Sequence, residues 1–313
     1  MPSLILAPMQ GLTELLFRRA YHQVFPGALD YAVSPFLSLT HGNLTGALKK
    51  VDDVLPALNE DSLPVVPQIL GKEPEEFVAL ANRLWELGYH EVNWNIGCPM
   101  RRVAAKHRGS GILPFPDEVR QVLDHVVPHL HPRLSVKMRL GYHNCKEIFA
   151  LIPILNDYPL LSVTIHPRIG KQIYTGVPDM DTFSQVLPLL RHPVIYNGDI
   201  FTLERYNYLR QQYPTIDAFM LGRGVLYNPT LPLQIKGLPY SEAQVAEFVC
   251  TLVEAILAQP LTDAAKVRKI KEYWCLLYRS LGLTEQQRLP ILHLSALPDL
   301  VQAIRSLARK SGE

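Results

Sequence analysis

The stretch Glu91-Val92-Asn93-Trp94-Asn95-Ile96-Gly97-Cys98-Pro99 is a short apolar strand that ends in two asparagines and a cysteine. It lacks a clean alternation of polar and apolar residues, which is typical of a parallel strand covered on both faces. Similar apolar runs recur along the chain, each about one strand-plus-helix unit from the next. The predicted strands are Leu4–Ala7, Tyr31–Ser34, Pro64–Leu70, Glu91–Asn95, Leu134–Met138, Leu161–His166, Pro193–Tyr196 and Ala218–Leu221.

Amphipathic segments lie between most of these strands. Helices are predicted over Glu75–Leu87, Pro116–Leu130 and Leu203–Tyr213, each with apolar residues on one face. Eight strand-helix units in succession favour a (β/α)8 TIM barrel. A doubly wound open sheet is the alternative, but Gly11 follows the first strand without the G-x-G-x-x-G pattern of such folds.

Composition sets further limits. The chain has 313 residues, 48% of them hydrophobic, and a formal net charge of +2 that neither implies nor excludes a nucleic-acid partner. Its cysteines, at positions 98, 145, 250 and 275, form no C-x-x-C pair. We therefore expect no metal site and no disulfide framework, and a cytoplasmic protein. The first residues do not resemble a signal peptide, and no apolar run is long enough for a membrane span.

Cys98 has two possible roles. A cluster of cations close in sequence would favour its thiolate and make it reactive: Arg101, Arg102, Lys106 and Arg108. The alternative is a buried and inert cysteine, since free cysteines are among the most buried residues.

Polar residues at the other strand ends help to decide between these two roles of Cys98. The carboxyl ends of barrel strands surround the active-site mouth. The residues expected there are Pro8-Met9-Gln10, Ser34, Gln68, Asn93, Asn95, Cys98, Lys137, Arg139, His166, Arg168, Asn197-Gly198-Asp199 and Gly222-Arg223-Gly224. Any one of them would by default be a cap or a loop contact. A ring of them around one mouth favours a catalytic barrel.

The last two strand ends indicate a phosphate. Asn197-Gly198-Asp199 and Gly222-Arg223-Gly224 follow strands seven and eight, where barrels commonly bind phosphate groups. Glycine lets backbone N–H groups approach phosphate oxygens, and Arg223 can donate charge-assisted hydrogen bonds. Two ordinary glycine turns are the alternative. With Lys137 in the mouth, a phosphorylated aromatic cofactor is the expected occupant.

The chain after residue 240 is predicted to be a separate helical region. Residues 1–240 would form the barrel domain and residues 241–313 a helical domain, which begins at Ser241 before an apolar-periodic run. Residues 264–279 are locally basic, with Tyr273, Trp274 and Tyr278 interleaved. This pattern fits either a solvated helix face over an aromatic core or a surface that tracks nucleic-acid phosphates.

Successive motifs in the chain resemble those of the tRNA-dihydrouridine synthases. They occur in the family's order, and the Asn-x-Gly-Cys-Pro and Lys-x-Arg-x-Gly elements together are specific. The motifs are Ala7-Pro8-Met9, Val66-Pro67-Gln68-Ile69-Leu70-Gly71, Asn93-Trp94-Asn95-Ile96-Gly97-Cys98-Pro99, Val136-Lys137-Met138-Arg139-Leu140-Gly141, Ile165-His166-Pro167-Arg168, Tyr196-Asn197-Gly198-Asp199-Ile200 and Met220-Leu221-Gly222-Arg223-Gly224. The short tail is most similar to the bacterial branch called DusC.

The resemblance implies an FMN enzyme that uses NADPH to reduce the C5–C6 double bond of selected uridines in tRNA. Cys98 would give a proton to C5 of uracil while the flavin gives hydride to C6. The residues expected to hold FMN are Pro8, Met9, Gln10, Gln68, Lys137, His166, Asn197, Gly198, Asp199, Gly222 and Arg223. Those expected to contact the target base are Asn95, Arg139 and Tyr174, and those expected to contact tRNA are Lys266, Lys269 and Lys271.

The chain also departs from the family pattern. Arg108-Gly109-Ser110-Gly111-Ile112-Leu113 stands where the family often has Gly-Ala or a glycine-rich stretch, and Asp199 replaces a more common glutamate. Two other functions stay open on the residues alone. One is a flavin barrel similar to dihydroorotate dehydrogenase that acts on a free pyrimidine, and the other is a non-catalytic RNA-binding protein.

Overall fold

The computed structural model describes residues 2–38 and 51–312. Its ten strands form one sheet in which every recorded neighbour pair is parallel. The strands are β1 Ser3–Leu6, β2 Tyr31–Val33, β3 Leu37–Ser38, β4 Val65–Val66, β5 Gln68–Leu70, β6 Glu91–Ile96, β7 Arg133–Gly141, β8 Val163–Ile169, β9 Val194–Tyr196 and β10 Ala218–Leu221.

These ten strands occupy eight barrel positions. β2 and β3 are two parts of one interrupted strand, as are β4 and β5, and the parts pair in order, β2 with β4 and β3 with β5. Pro67 separates β4 from β5, and since proline has no N–H, the ladder breaks there. The Gln68 N–H instead donates to the Ser34 hydroxyl at 3.1 Å. β10 pairs with β1, which closes the sheet and confirms the predicted barrel.

Helices cover the outside of the sheet, and their ends differ from the predicted ends by a few residues. The predicted helix over Pro116–Leu130 is the largest difference, because it changes to a 3-10 turn at Val127. The barrel helices are α1 Leu15–Val24, α2 Pro56–Asn59, α3 Pro74–Glu86, α4 Arg101–Ala104, α5 Pro116–Val126, α6 Glu147–Asn156, α7 Met180–Val186, α8 Leu203–Gln212, α9 Arg223–Tyr227 and α10 Leu231–Lys236.

The tail forms four further helices, of which the first two contact α1. These are α11 Glu242–Leu257, α12 Asp263–Leu277, α13 Glu285–His293 and α14 Leu297–Gly312. Ser241 caps α11 in a reciprocal pair with Gln244, as the sequence indicated. Phe248 of α11 inserts between the rings of α1, 5.5 Å from Phe17 and 5.7 Å from Tyr21. The apolar core therefore continues from the barrel into the tail, and the domain boundary at residue 240 stays a prediction.

The basic segment 264–279 turns its rings inward. Tyr273, Trp274 and Tyr278 are each at most 3% exposed. The aromatic-core alternative therefore describes these three rings, which have no face free to stack on a base. Across residues 2–38 and 51–312, we find no helix with both the length and the apolar character needed to cross a bilayer.

Candidate active site

A chain of amide hydrogen bonds crosses the barrel mouth from β5 to β7. Gln68 donates through Nε2 to Asn93 Oδ1 and accepts at Oε1 from Asn95 Nδ2, both at 2.7 Å. Asn93 in turn donates to the Ser135 hydroxyl at 2.9 Å. Gln68, Asn93 and Asn95 are all buried, so each amide needs such a partner. The chain fixes which edge of each amide faces the cavity.

Asn95 holds the loop that carries Cys98. Its Oδ1 accepts from the N–H groups of Gly97 at 3.0 Å and Cys98 at 2.9 Å. Asn95 was predicted to touch a target base. In the structure most of its hydrogen-bonding capacity is used within the protein, and contact with a base stays a prediction.

The second support of Cys98 comes from the segment between α4 and α5. The Cys98 carbonyl accepts from the Ser110 N–H at 3.0 Å and from the Ser110 hydroxyl at 2.9 Å. Gly109 has a φ of +55°, and a Cβ there would lie 2.7 Å from the Cys98 carbonyl oxygen. Only glycine fits this contact.

Burial decides the protonation state of Cys98, which is only 9% exposed. Burial raises the pKa of the thiol, although Arg139, Lys137 and Arg102 lower it. Arg102, one of the four cations expected to favour the thiolate, does lower the pKa, but desolvation outweighs it. Arg108, one of those cations, is paired with Glu73 instead. The thiol is therefore protonated near neutral pH and suited to act as an acid.

Lys137, which lies near Cys98, and His166, which lies near Lys137, both have lowered pKa values. Lys137 is surrounded by protein yet partly open to the mouth; burial, with Arg139 nearby, lowers its pKa to about 7. Burial and the cations around His166 hold the pKa of its imidazole well below its ordinary value. Arg168 Nη1 donates to His166 Nε2 at 3.1 Å, which leaves the ring proton on Nδ1.

Arg139 joins two loops of the mouth. Its Nε donates to the Gly97 carbonyl at 3.1 Å, next to Cys98. Its Nη1 and Nη2 donate to the carbonyls of Ile169 at 3.0 Å and Ile173 at 2.7 Å. Burial lowers its pKa to about 10, so the guanidinium stays charged near neutral pH. Its predicted contact with the base would use the remaining N–H groups.

Asp199 organises the two arginines at the end of the barrel. Its carboxylate accepts from Arg168 at 2.5 and 2.9 Å and from Arg223 at 2.8 Å. These arginines hold the pKa of Asp199 below its ordinary value despite burial. Arg168 is 1% exposed and was not among the predicted cofactor residues. Its position two residues after His166 on the same strand was the available signal, because residues i and i+2 share a strand face.

Tyr174 stands over the mouth and is 49% exposed. Arg223 lies 4.9 Å from its ring centroid and Arg139 lies 5.7 Å from it. Arg223 also lies 5.3 Å from the Phe201 ring. These cation–π contacts hold an exposed ring above the cavity.

The remaining predicted cofactor residues surround the ends of β1, β9 and β10. Asn197 joins β9 to β10 by donating to the Met220 carbonyl at 2.8 Å. A Cβ at Gly222 would lie 3.5 Å from Ala7 and 3.7 Å from the Met9 sulfur, so the two strand ends adjoin. Pro8 and Met9 are partly exposed and Gln10 is exposed, while Gly198 lies between Asn197 and Asp199.

The three lysines predicted to contact tRNA all lie on α12, and their ammonium groups have different surroundings. Lys266 donates to the Leu257 carbonyl at 2.7 Å. Lys269 reaches the barrel, where it pairs with Glu14 at 2.8 Å and donates to the Gly11 carbonyl at 2.6 Å. Lys271 lies beside Arg268 in a shallow surface groove. Contact of all three with tRNA stays a prediction, and for Lys269 it would require that the ion pair with Glu14 opens.

The charge at the mouth suits an anionic ligand. Four cations lie close enough to His166 to lower its pKa: Lys137, Arg139, Arg168 and Arg223. In the part of the chain that the structure describes, Asp199 is the carboxylate that pairs with two of them. The surplus of positive charge, together with buried amide edges, fits a phosphorylated planar ring such as a flavin nucleotide.

Known proteins provide a comparison. The family profile described as "Dihydrouridine synthase (Dus)" matches residues 5–270. A tRNA-dihydrouridine synthase B from Pasteurella multocida is 30% identical over 78% of this chain and 72% of its own length. A tRNA-dihydrouridine(16) synthase from Shewanella oneidensis is 28% identical over 88% of both chains.

Solved structures with the same barrel are more distant in sequence. The old yellow enzyme homologue from Zymomonas mobilis superposes with a TM-score of 0.54 at 12% identity, covering 76% of this chain and 89% of its own. The old yellow enzyme from Trypanosoma cruzi has a TM-score of 0.54 at 9% identity, over 78% and 91% of the two chains. At such identities the likeness extends to the fold alone. The family profile covers most of the chain, and this confirms the predicted family: the protein belongs to the dihydrouridine synthases.

Proposed function

We propose that this protein is a tRNA-dihydrouridine synthase that reduces the C5–C6 double bond of uridines in tRNA, with bound FMN and with NADPH as reductant. Membership of the family supports the reaction. The observation that carries the proposal is the state of Cys98. Its thiol is kept protonated by burial and lies near two cations that favour its conjugate base, Lys137 and Arg139.

The residues of the mouth divide between binding and proton transfer. The flavin, when bound, supplies hydride to C6 of the uracil ring. Its phosphate would lie near Arg223 and the Gly198 and Gly222 backbone, with Asp199 holding Arg223 in place. Its ring would lie near Met9, Gln68, Lys137 and His166. Pro8, Gln10 and Asn197 would complete the shape of the cavity.

Cys98 would complete the reduction at C5, the other carbon of the double bond. Its S–H bond breaks as a C5–H bond forms, so hydride and proton together add two hydrogens to the ring. The resulting thiolate is stabilised by Lys137 and Arg139, which both lower the pKa of Cys98. Solvent then returns the proton. A thiol acid of this kind contributes by being correctly placed and correctly protonated.

The tRNA would meet the protein across the barrel mouth and the tail. A paired or stacked uridine must leave its stack to reach a buried thiol. Tyr174 is exposed above the cavity and offers a ring edge to the extruded base, next to Asn95 and Arg139. Lys266 and Lys271 lie on the tail, where cations can track phosphates. This arrangement supports tRNA rather than a free pyrimidine, since a free ring needs no second surface.

The test is a mass-spectrometric assay for dihydrouridine after incubation of FMN-loaded protein with NADPH and unmodified tRNA. We expect product with the wild type, and in Cys98→Ala a loss of several orders of magnitude while flavin binding and its reduction by NADPH persist. Wild-type product in Cys98→Ala would remove Cys98 as the acid. A reducible bound flavin without any tRNA product would instead favour a free pyrimidine, which the same assay detects on uracil and orotate.

A further inference from the structure

The segment that supports Cys98 is itself anchored by charged residues that do not reach the mouth. Arg108 Nη2 lies 2.5 Å from Glu73 Oε1, and the Arg108 side chain is 5% exposed. Glu73 precedes α3 directly, so the ion pair fastens the segment to the start of a barrel helix. Burial raises the pKa of Glu73, but the ion pair with Arg108 and backbone hydrogen bonds together lower it by more, so the pKa lies below its ordinary value.

A second anchor lies one residue earlier. The His107 ring stacks on Phe115 with a centroid distance of 4.0 Å, and its Nδ1 lies 2.7 Å from Glu118 Oε1. Lys72 pairs with the other oxygen of Glu118 at 2.6 Å. Residues His107 and Gly109 both have positive φ, so the chain makes a tight turn between the anchors and Cys98. His107 is not a glycine, so its surroundings must hold it in the positive-φ conformation.

The turn transmits the position of Arg108 directly to the cysteine. Gly109 packs on Cys98 at a distance that excludes any side chain, and Ser110 gives two hydrogen bonds to the Cys98 carbonyl. Ser110 is fully buried, and a Cβ at Gly170 would lie 2.6 Å from its hydroxyl oxygen. There is thus no space into which the turn could relax without moving Cys98.

We propose that Glu73 is a positioning residue for the Cys98 thiol, which it acts on through Arg108, Gly109 and Ser110. The proposal rests on the proposed role of Cys98 as the proton donor. The cation at position 108 and the carboxylate at position 73 form an ion pair in which both side chains are largely buried. This ion pair holds the segment before Gly109 in one place. Glu118 provides a second and weaker anchor, because its ion pairs are more exposed.

The experiment compares Glu73→Gln with the wild type in two readouts. The first is the rate of Cys98 alkylation by iodoacetamide, followed by peptide mass spectrometry, which needs neither tRNA nor flavin turnover. We expect this rate to change severalfold, because the thiol loses its fixed surroundings. The second readout is the rate of each half-reaction, measured separately. Flavin reduction by NADPH should be unchanged, while kcat for uridine reduction falls about tenfold or more with little change in KM for tRNA.

Controls separate positioning from a general loss of stability. Glu86→Gln removes an exposed ion pair with Arg83 on the same helix and should change neither readout. Glu73→Asp keeps the charge and should restore part of the wild-type behaviour. Alkylation and kcat both unchanged in Glu73→Gln would overturn the proposal, as would an equal slowing of both half-reactions. A wild type that makes no dihydrouridine would overturn the proposed function instead, while alkylation would still decide whether Glu73 positions the thiol.

Discussion

Lys269 of the tail and Glu14 of the barrel form an ion pair at 2.8 Å. The same ammonium donates to the Gly11 carbonyl at 2.6 Å, and Tyr273 donates to the Leu12 carbonyl at 2.6 Å. These contacts fasten α12 to the loop after β1, which carries Met9. The tail therefore supports the barrel loop that is expected to hold the flavin, in addition to any contact that it makes with tRNA.

This relationship predicts different effects for two lysines on the same helix. Lys269→Ala should lower the free energy of unfolding by about 1 kcal/mol, because it removes the ion pair with Glu14 and the hydrogen bond to the Gly11 carbonyl. It should also weaken FMN binding. Lys271→Ala should weaken tRNA binding alone, more so at low salt, since Lys271 lies in a surface groove lined by residues of α12. Urea denaturation, flavin fluorescence titration and tRNA binding measure the three effects. Equal effects of both substitutions on FMN would contradict the assignment.

The contact of Gly109 with Cys98 predicts a steric effect. Gly109→Ala would place a Cβ 2.7 Å from the Cys98 carbonyl oxygen and 2.8 Å from the Cys98 Cβ. We expect lower stability and a loss of uridine reduction greater than the loss of flavin reduction. Gly237→Ala is the matched control, because Gly237 also has a positive φ of +63° but has nothing within 4 Å of the added Cβ. The backbone strain is common to both, so the difference in kcat isolates the contact with Cys98.

The lowered pKa of Lys137 predicts that the stability of the apoprotein depends on pH. Its pKa is about 7 in the folded protein against an ordinary value of 10.5, so between these pH values the unfolded chain binds a proton that the folded chain does not. Stability should therefore rise with pH across this window, while below about pH 7 the cost of the buried ammonium is fully present and Lys137 adds no further pH dependence. Lys137→Met removes the titrating group, so the difference between the two proteins in urea denaturation should shift in favour of wild type from pH 7 to pH 10. A constant difference would show that Lys137 keeps its ordinary pKa.

The sequence predicted the barrel well because buried parallel strands have a simple pattern and each ends in a polar residue. It did not predict that two of the strands are interrupted, at Pro35 and at Pro67. After the second interruption the Gln68 N–H donates to the hydroxyl of Ser34, which comes from a different strand, and such a contact cannot be read from the sequence. The sequence also overestimated the effect of nearby cations on the pKa of Cys98. Cations that are near in sequence, such as Arg108, are paired elsewhere, while burial by residues distant in sequence sets the pKa.

Side-chain direction was equally hidden at other site residues. Asn95 and Arg139 were identified from residue type and strand position, and both lie at the mouth. Their hydrogen bonds to the backbone around Cys98 depend on loop geometry that residue types do not encode. Arg168 was expected at the mouth but not among the cofactor residues, because its partner Asp199 lies on another strand end.

The last prediction concerns Arg223, whose guanidinium is held by three different groups. It pairs with Asp199 at 2.8 Å and lies over the rings of Tyr174 at 4.9 Å and Phe201 at 5.3 Å. Arg223→Lys keeps the charge but loses the planar stacking and the forked donor geometry. We expect FMN affinity to fall about thirtyfold, since one cation–π contact and one charge-assisted hydrogen bond are each worth about 1 kcal/mol.

Arg205→Lys is the control for Arg223→Lys, because Arg205 lies 5.2 Å from the Tyr208 ring and outside the mouth. Loss of that stacking should leave FMN affinity unchanged. Fluorescence titration of both apoproteins with FMN measures the difference, and repetition with riboflavin separates phosphate from ring. If Arg223 binds the phosphate, the substitution should weaken FMN far more than riboflavin. An equal effect on both ligands would place Arg223 at the ring instead, and with it the orientation of the flavin in the barrel would have to be reversed.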